Sequence, residues 1–161
     1  EDIYPFVKGV VGHAKKIKYL LEIARQLKRN ENIPITMDAL IALPGIGRKS
    51  ANVIMREAGV EAEGIVVDLH TTRVATRLGI SKSDDPKKIE QDCMKKIDEK
   101  DWSEAGMAMS FLGREICRPK PLCPECLMNE VCQFYLKGGY EKLQKELAKG
   151  KKAGVWKKGR W

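Results

Sequence analysis

The chain has 161 residues, 43% of them hydrophobic and 32% charged, with a formal net charge of +8. That is enough for a real core in one domain or in two small lobes, and it excludes a generally disordered chain. No apolar run approaches the about 18 residues a membrane span needs, and no signal peptide is visible, so a soluble, intracellular protein without a membrane partner is expected.

The excess charge is concentrated. Residues 137–161 hold nine Lys or Arg against two Glu, which leaves the rest almost neutral. Any anion site there has to be made by local geometry and not by bulk potential.

In chain order the sequence reads as helices joined by short turns, with little period-two alternation, and predicts an all-α protein. Ile17, Leu20, Leu21, Ala24 and Leu27 make one apolar stripe on a helix over 14–27, which should pack on something. Asn32, Ile33 and Pro34 break the pattern, and Thr36 is expected to cap a short helix over 37–42. A glycine-bracketed turn follows, then a helix over 48–58 stopped by Gly59. Ile65, Val66 and Val67 form a short apolar stretch whose type periodicity leaves open. Asp68 stands at the start of a helix through Leu78, with Gly79 as its stop. Asp85 and Pro86 begin another, carrying Ile89, Cys93 and Ile97 on one face. A helix over 102–116 should turn Trp102, Ala105, Met109, Leu112 and Ile116 to one side. No internal repeat is visible, and the end of the chain, KGKKAGVWKKGRW, is of low complexity and expected to be mobile until bound.

The stretch LPGIGRKSAN, residues 43–52, joins its two helices as a helix-hairpin-helix over 36–58. Gly45 and Gly47 are expected to allow positive φ and to keep side chains away, so that backbone N–H groups of the turn and of the next helix can point at one anion such as a phosphate. Arg48 and Lys49 put cations at a helix N-terminus, against the macrodipole, and a local conflict of that kind points to function. An ordinary corner between helices, with solvated cations, is the plainer alternative. A phosphate-binding turn would hold DNA without reading its sequence.

Four of the five cysteines fall in Cys117-x5-Cys123-x2-Cys126-x5-Cys132, in a loop rich in proline. Crowding outside helical spacing, in a chain with no secretion signal, marks a ligand set and not disulfides or core thiols. One CxxC between two longer loops favours a [4Fe–4S] cluster, with zinc as the alternative. Cys93 lies on an apolar face and reads as a buried free thiol.

With hairpin and cysteines together, the chain resembles the endonuclease III family of base-excision DNA glycosylases, from about residue 9 to 135. LPGIGRKSAN, VVDLHTTRV (residues 66–74) and the cysteine cluster carry the resemblance. It implies two helical lobes around a cleft, here 1–62 and 63–136, with 137–161 as a basic tail. The implied activity is removal of oxidised pyrimidines from damaged duplex DNA, followed by strand cleavage as an apurinic/apyrimidinic (AP) lyase. The work would be done inside the cell, in the cytoplasm or nucleoid, or in a nucleus. Lys49 takes the place of the family's nucleophile and Asp68 of its essential carboxylate. Gly45, Ile46, Gly47, Arg48 and Ser50 would meet the DNA backbone, with His70 on the same face and Arg118 and Lys120 in the loop between the first two cysteines. Cys117, Cys123, Cys126 and Cys132 would hold the cluster, which shapes that loop.

There are departures. A helical segment that precedes the matched part in the family is absent here, so a monomer is expected unless a separate chain supplies it. Leu69 stands where Thr is frequent, the first cysteine loop is one residue shorter, and the part beyond Tyr140 lies outside the resemblance. The rival class is a non-catalytic hairpin module that only grips DNA. A backbone clamp needs neither Lys49 nor Asp68, and the adenine-removing branch of the superfamily lacks a lysine at the position of Lys49. An AP lyase without base recognition is the remaining alternative.

Overall fold

The computed structural model describes residues 3–27 and 32–150. All regular elements among them are helical: α1 (Tyr4–Val7), α2 (His13–Gln26), α3 (Met37–Ile41), α4 (Arg48–Glu57), α5 (Leu69–Leu78), α6 (Pro86–Met94), α7 (Trp102–Glu115), α8 (Gln133–Leu136) and α9 (Gly139–Ala148), with 3-10 turns at Glu99–Asp101 and Cys123–Glu125. Among the described residues no helix is long and apolar enough to cross a membrane. The chain divides into two compact units, Glu1–Glu63 and Gly64–Trp161.

In the first unit α3 packs on α4 and buries Met37, Leu40, Ala51 and Met55, with Ile46, Ile54 and Val60 against them. Thr36 occupies the N-cap position of α3 in extended conformation, yet its hydroxyl makes no capping bond. The α2 helix forms where its stripe predicts and sets Tyr19 against Gly45, but the stripe is not buried among the described residues. None of its residues is buried, and Leu20 and Leu21 are 47% and 41% exposed. An apolar stripe at helical period specifies the helix and not the surface that covers it.

The second unit is built on α5, which lies along α7 and also touches α6 and α8. Ile65, Val67, Val74, Ala75, Ile89, Cys93 and Met109 form its core. Residues 65–68 take no regular structure although Ile65, Val66 and Val67 are buried. The buried face of α7 is Gly106, Met109, Ser110 and Gly113, and only Met109 belongs to the face read from the sequence. Trp102 and Leu112 pack at its margin. A Cβ at Gly106 would stand 2.8 Å from the Val66 nitrogen, and one at Gly113 would stand 2.8 Å from the His70 Cβ. Small residues win this face because they let α7 lie against backbone, a gain in contact that counting large apolar side chains overlooks. Gly106→Ala is therefore expected to lower stability in chemical denaturation by about 1–3 kcal/mol through overpacking, although alanine is the better helix former.

Ile89 and Cys93 are fully buried, while Ile97 lies past the end of α6 and packs at the edge of the core. Burial pushes the Cys93 thiol up to about 11, as befits a core residue and not a metal ligand. The basic segment after residue 136 is not tail throughout, since α9 buries Leu143 and packs on α8. Trp156 and Trp161, with the rest of 151–161, lie outside the described residues.

Candidate functional site

The hairpin turn separates the roles of its two glycines. Gly45 has φ of 79°, and a Cβ on it would overlap the Tyr19 ring, so glycine is required on two counts. Gly47 does not share the positive φ expected for it. It is the N-cap of α4, with φ −102° and ψ 173°, and a Cβ there would meet nothing within 4 Å. No side chain caps α4, and the first backbone bond of the helix runs from Ala51 N–H to the Gly47 carbonyl. The N–H groups of Arg48, Lys49 and Ser50 thus precede the helical ladder. Lys49 and Ser50 are exposed. Arg48 is half-buried, and its guanidinium donates to the Glu63 carbonyl at 2.9 Å, which commits part of its charge within the unit.

In the second unit Asp68 is the N-cap of α5. Its Oδ1 accepts from the His70 and Thr71 N–H groups at 2.8 Å each, and its Oδ2 accepts from the Ser110 hydroxyl at 2.7 Å. Arg114 stands 3.6 Å from Oδ2, and the Asp68 side chain is 10% exposed. Burial alone would raise this carboxyl, but the donated bonds from Thr71, Ser110 and His70 outweigh it and hold it below the usual carboxylate range. Asp68 is therefore a fixed anion at neutral pH. That suits the stabilising of positive charge better than the taking up of a proton.

His70 is half-buried, and its Nδ1 lies 3.2 Å from the Arg73 guanidinium. Arginine only donates, so Nδ1 is the accepting atom in this contact. Arg73 and Arg77, which the sequence analysis did not single out, are 3% and 2% exposed. Arg73 donates to the carbonyls of Cys117 and Gly113, both at 2.7 Å. Arg77 donates to the Arg118 carbonyl at 2.7 Å and to the Cys117 sulfur at 3.3 Å, and it stacks on Phe134. Together they fasten the start of the cysteine loop to α5 and leave Arg118 and Lys120 exposed beyond it. Spacing of four residues puts both arginines on one helix face, and that was their only signal in the sequence.

Cys117, Cys123, Cys126 and Cys132 line one pocket, walled by Val74, Leu112 and Phe134. All four are free thiols. Burial raises the Cys117 and Cys123 thiols, the latter to about 12, so that binding of any metal centre there would have to displace protons. Among the described residues no three His, Cys, Asp or Glu side chains are grouped so as to hold a single metal ion.

The chain thus carries a hairpin with a bare N-cap glycine, a capped and charged aspartate at the head of α5 and a four-cysteine pocket. Residues 1–99 match the family described as HhH-GPD superfamily base excision DNA repair protein, and the chain belongs to that family. Within it the chain is similar to endonuclease III. It is 34% identical over 142 residues to endonuclease III of Thermotoga maritima, covering 86% of this chain and 66% of the relative. It is 41% identical over 101 residues to that of Synechocystis, covering 62% and 46%. Among solved structures it is similar to a trapped endonuclease III–DNA covalent intermediate, with TM-score 0.73 and 33% identity over 81% of this chain and 63% of that one. A non-covalent endonuclease III–DNA complex matches with the same TM-score at 34% identity. The all-α fold and the family resemblance expected from the motifs are borne out, and the chain spans less than two thirds of the length of several of these relatives.

Proposed function

We propose that the chain carries the chemistry of a base-excision glycosylase and AP lyase acting on oxidised pyrimidines in duplex DNA, with Lys49 as nucleophile and Asp68 as carboxylate. The observation that carries this is Gly47. Neither backbone conformation nor packing requires glycine there, so the absence of a side chain is explained by something that approaches the α4 N-terminus from outside, where unladdered N–H groups and Lys49 are found. A DNA phosphate is the anion that suits such a terminus.

Lys49 Nζ, once unprotonated, would attack the sugar C1′. The base leaves with the bonding electron pair, the ring opens, and an imine joins nitrogen to C1′. The positive charge of that iminium acidifies the C2′ proton. Its removal expels the 3′ phosphate from C3′ by β-elimination, and water later releases the amine. Asp68, kept anionic by Ser110 and its own helix, would stabilise the charge that grows on the sugar as the base departs. The exposed Arg118 and Lys120 are proposed to contact phosphates, on a loop whose carbonyls Arg73 and Arg77 hold.

Cys117, Cys123, Cys126 and Cys132 are the residues that would hold a [4Fe–4S] cluster. Four free thiols lining one pocket support this. When bound, the cluster would supply a rigid cross-link for the loop and no base-removal chemistry.

Borohydride trapping on duplex that contains an abasic or oxidised-pyrimidine site tests the proposal. A covalent protein–DNA band is expected, and its absence at every site offered would reject the enzyme in favour of a backbone-gripping module. Gly47→Ala supplies an independent check. Its φ suits alanine, but glycine is the better N-cap, so the two effects oppose and the melting temperature should move by no more than the equivalent of about 1 kcal/mol, while affinity for duplex in a mobility shift falls.

A further inference from the structure

We infer that the cavity at the C-terminal end of α5 is a docking site for an acidic amphipathic peptide segment of another protein. It lies away from Asp68, since α5 has ten residues and a rise of about 15 Å from the Asp68 cap to its other end. The cavity measures about 1130 Å³, which exceeds what a single small anion needs and accommodates several residues of a peptide.

Its lining has two parts. Half-buried Leu78, Ile80 and Phe134 supply apolar surface, with buried Leu143 behind them. Around them Lys82, Lys96, Lys137 and Lys142 bring cations, with Glu146 as the one carboxylate among the lining residues. All four lysines are exposed, and Lys96 is steadied by donating to the Gly79 carbonyl at 3.4 Å. Lys82 and Lys96 come from the nearly neutral part of the chain and Lys137 and Lys142 from the basic segment, so two separate stretches bring their cations to one cavity. Lys142 and Leu143 belong to α9, which carries none of the residues assigned to the proposed chemistry.

An apolar floor within a lysine rim selects the partner. A DNA backbone would satisfy the lysines but leave the floor uncovered, because duplex bases are stacked inward. A helical segment with leucines at i, i+3 and i+4 and carboxylates beside them satisfies both, the apolar anchors giving affinity and the charges steering and register.

The test is fluorescence anisotropy on the full chain with a short labelled peptide of leucines at helical spacing among glutamates. Saturable binding is expected. Lys82→Glu with Lys142→Glu should weaken it by about tenfold, from two lost charge pairs. Lys157→Glu with Lys158→Glu should change it less than twofold. A peptide with serine for leucine should bind about tenfold more weakly. Lys137→Glu is an independent rim variant should the double variant not fold, and cleavage of abasic-site duplex should be unchanged in either. Four results would each overturn the inference: no binding of the leucine peptide, equal binding of the serine peptide, loss of binding in the 157/158 variant instead of the rim variants, or competitive displacement by undamaged duplex.

Discussion

Lys49→Gln is expected to eliminate the borohydride-trapped band and to lower strand cleavage at an abasic site by about a thousandfold or more, the scale of loss seen when a covalent nucleophile is removed. The glutamine amide has no lone pair available for attack, so no imine forms and the C2′ proton keeps its ordinary acidity. Lys49 is exposed, and no hydrogen bond or ion pair ties it to a described residue. Stability should therefore move by less than about 0.5 kcal/mol, and upward if at all, since a cation is removed from a helix N-terminus. Affinity for duplex should survive. A trapped adduct that persists in Lys49→Gln would place the nucleophile elsewhere.

Asp68→Asn should separate chemistry from folding. Asparagine is a good N-cap, and its Oδ1 can still accept from His70 and Thr71. The amide nitrogen would replace the charged Oδ2 that faces Ser110 and Arg114. A loss of about 1 kcal/mol in stability is expected from that exchange, against a fall of about a hundredfold to a thousandfold in cleavage if the carboxylate stabilises developing positive charge. The pH dependence of stability has a definite sign. The folded Asp68 carboxyl sits below its unfolded value, so between the two the unfolded chain binds more protons and stability rises with pH. The advantage of wild type over Asp68→Asn should be constant above about pH 5 and shrink as pH falls below about 4. A gap that widens in acid would contradict the donated bonds at Oδ1 and Oδ2.

The helices were legible because apolar period and stop signals are local. Gly59 and Gly79 take the positive φ of helix stops, and Asp85 caps α6 from the side chain, as their positions in the sequence suggest. The site was legible in its residue types, since LPGIGRKSAN, the Asp68 segment and the cysteine spacing are each short enough to read by eye. Gly47 illustrates the limit: one letter cannot tell a glycine needed for φ from one needed for an unobstructed approach, and only the backbone angle separates them.

By itself, then, the sequence determined an all-α protein of the helix-hairpin-helix repair class, in which four thiols crowd one loop and Lys49 and Asp68 head two helices. These follow from local spacing and residue chemistry. Tertiary structure alone decided that Gly106 and Gly113 form the seam between α5 and α7, that the Ser110 hydroxyl helps hold Asp68 anionic with Arg114 nearby, and that Arg73 and Arg77 fasten the cysteine loop. Those pairings join residues 40 to 46 positions apart, and no periodic pattern encodes which distant carbonyl or carboxylate a buried donor will meet.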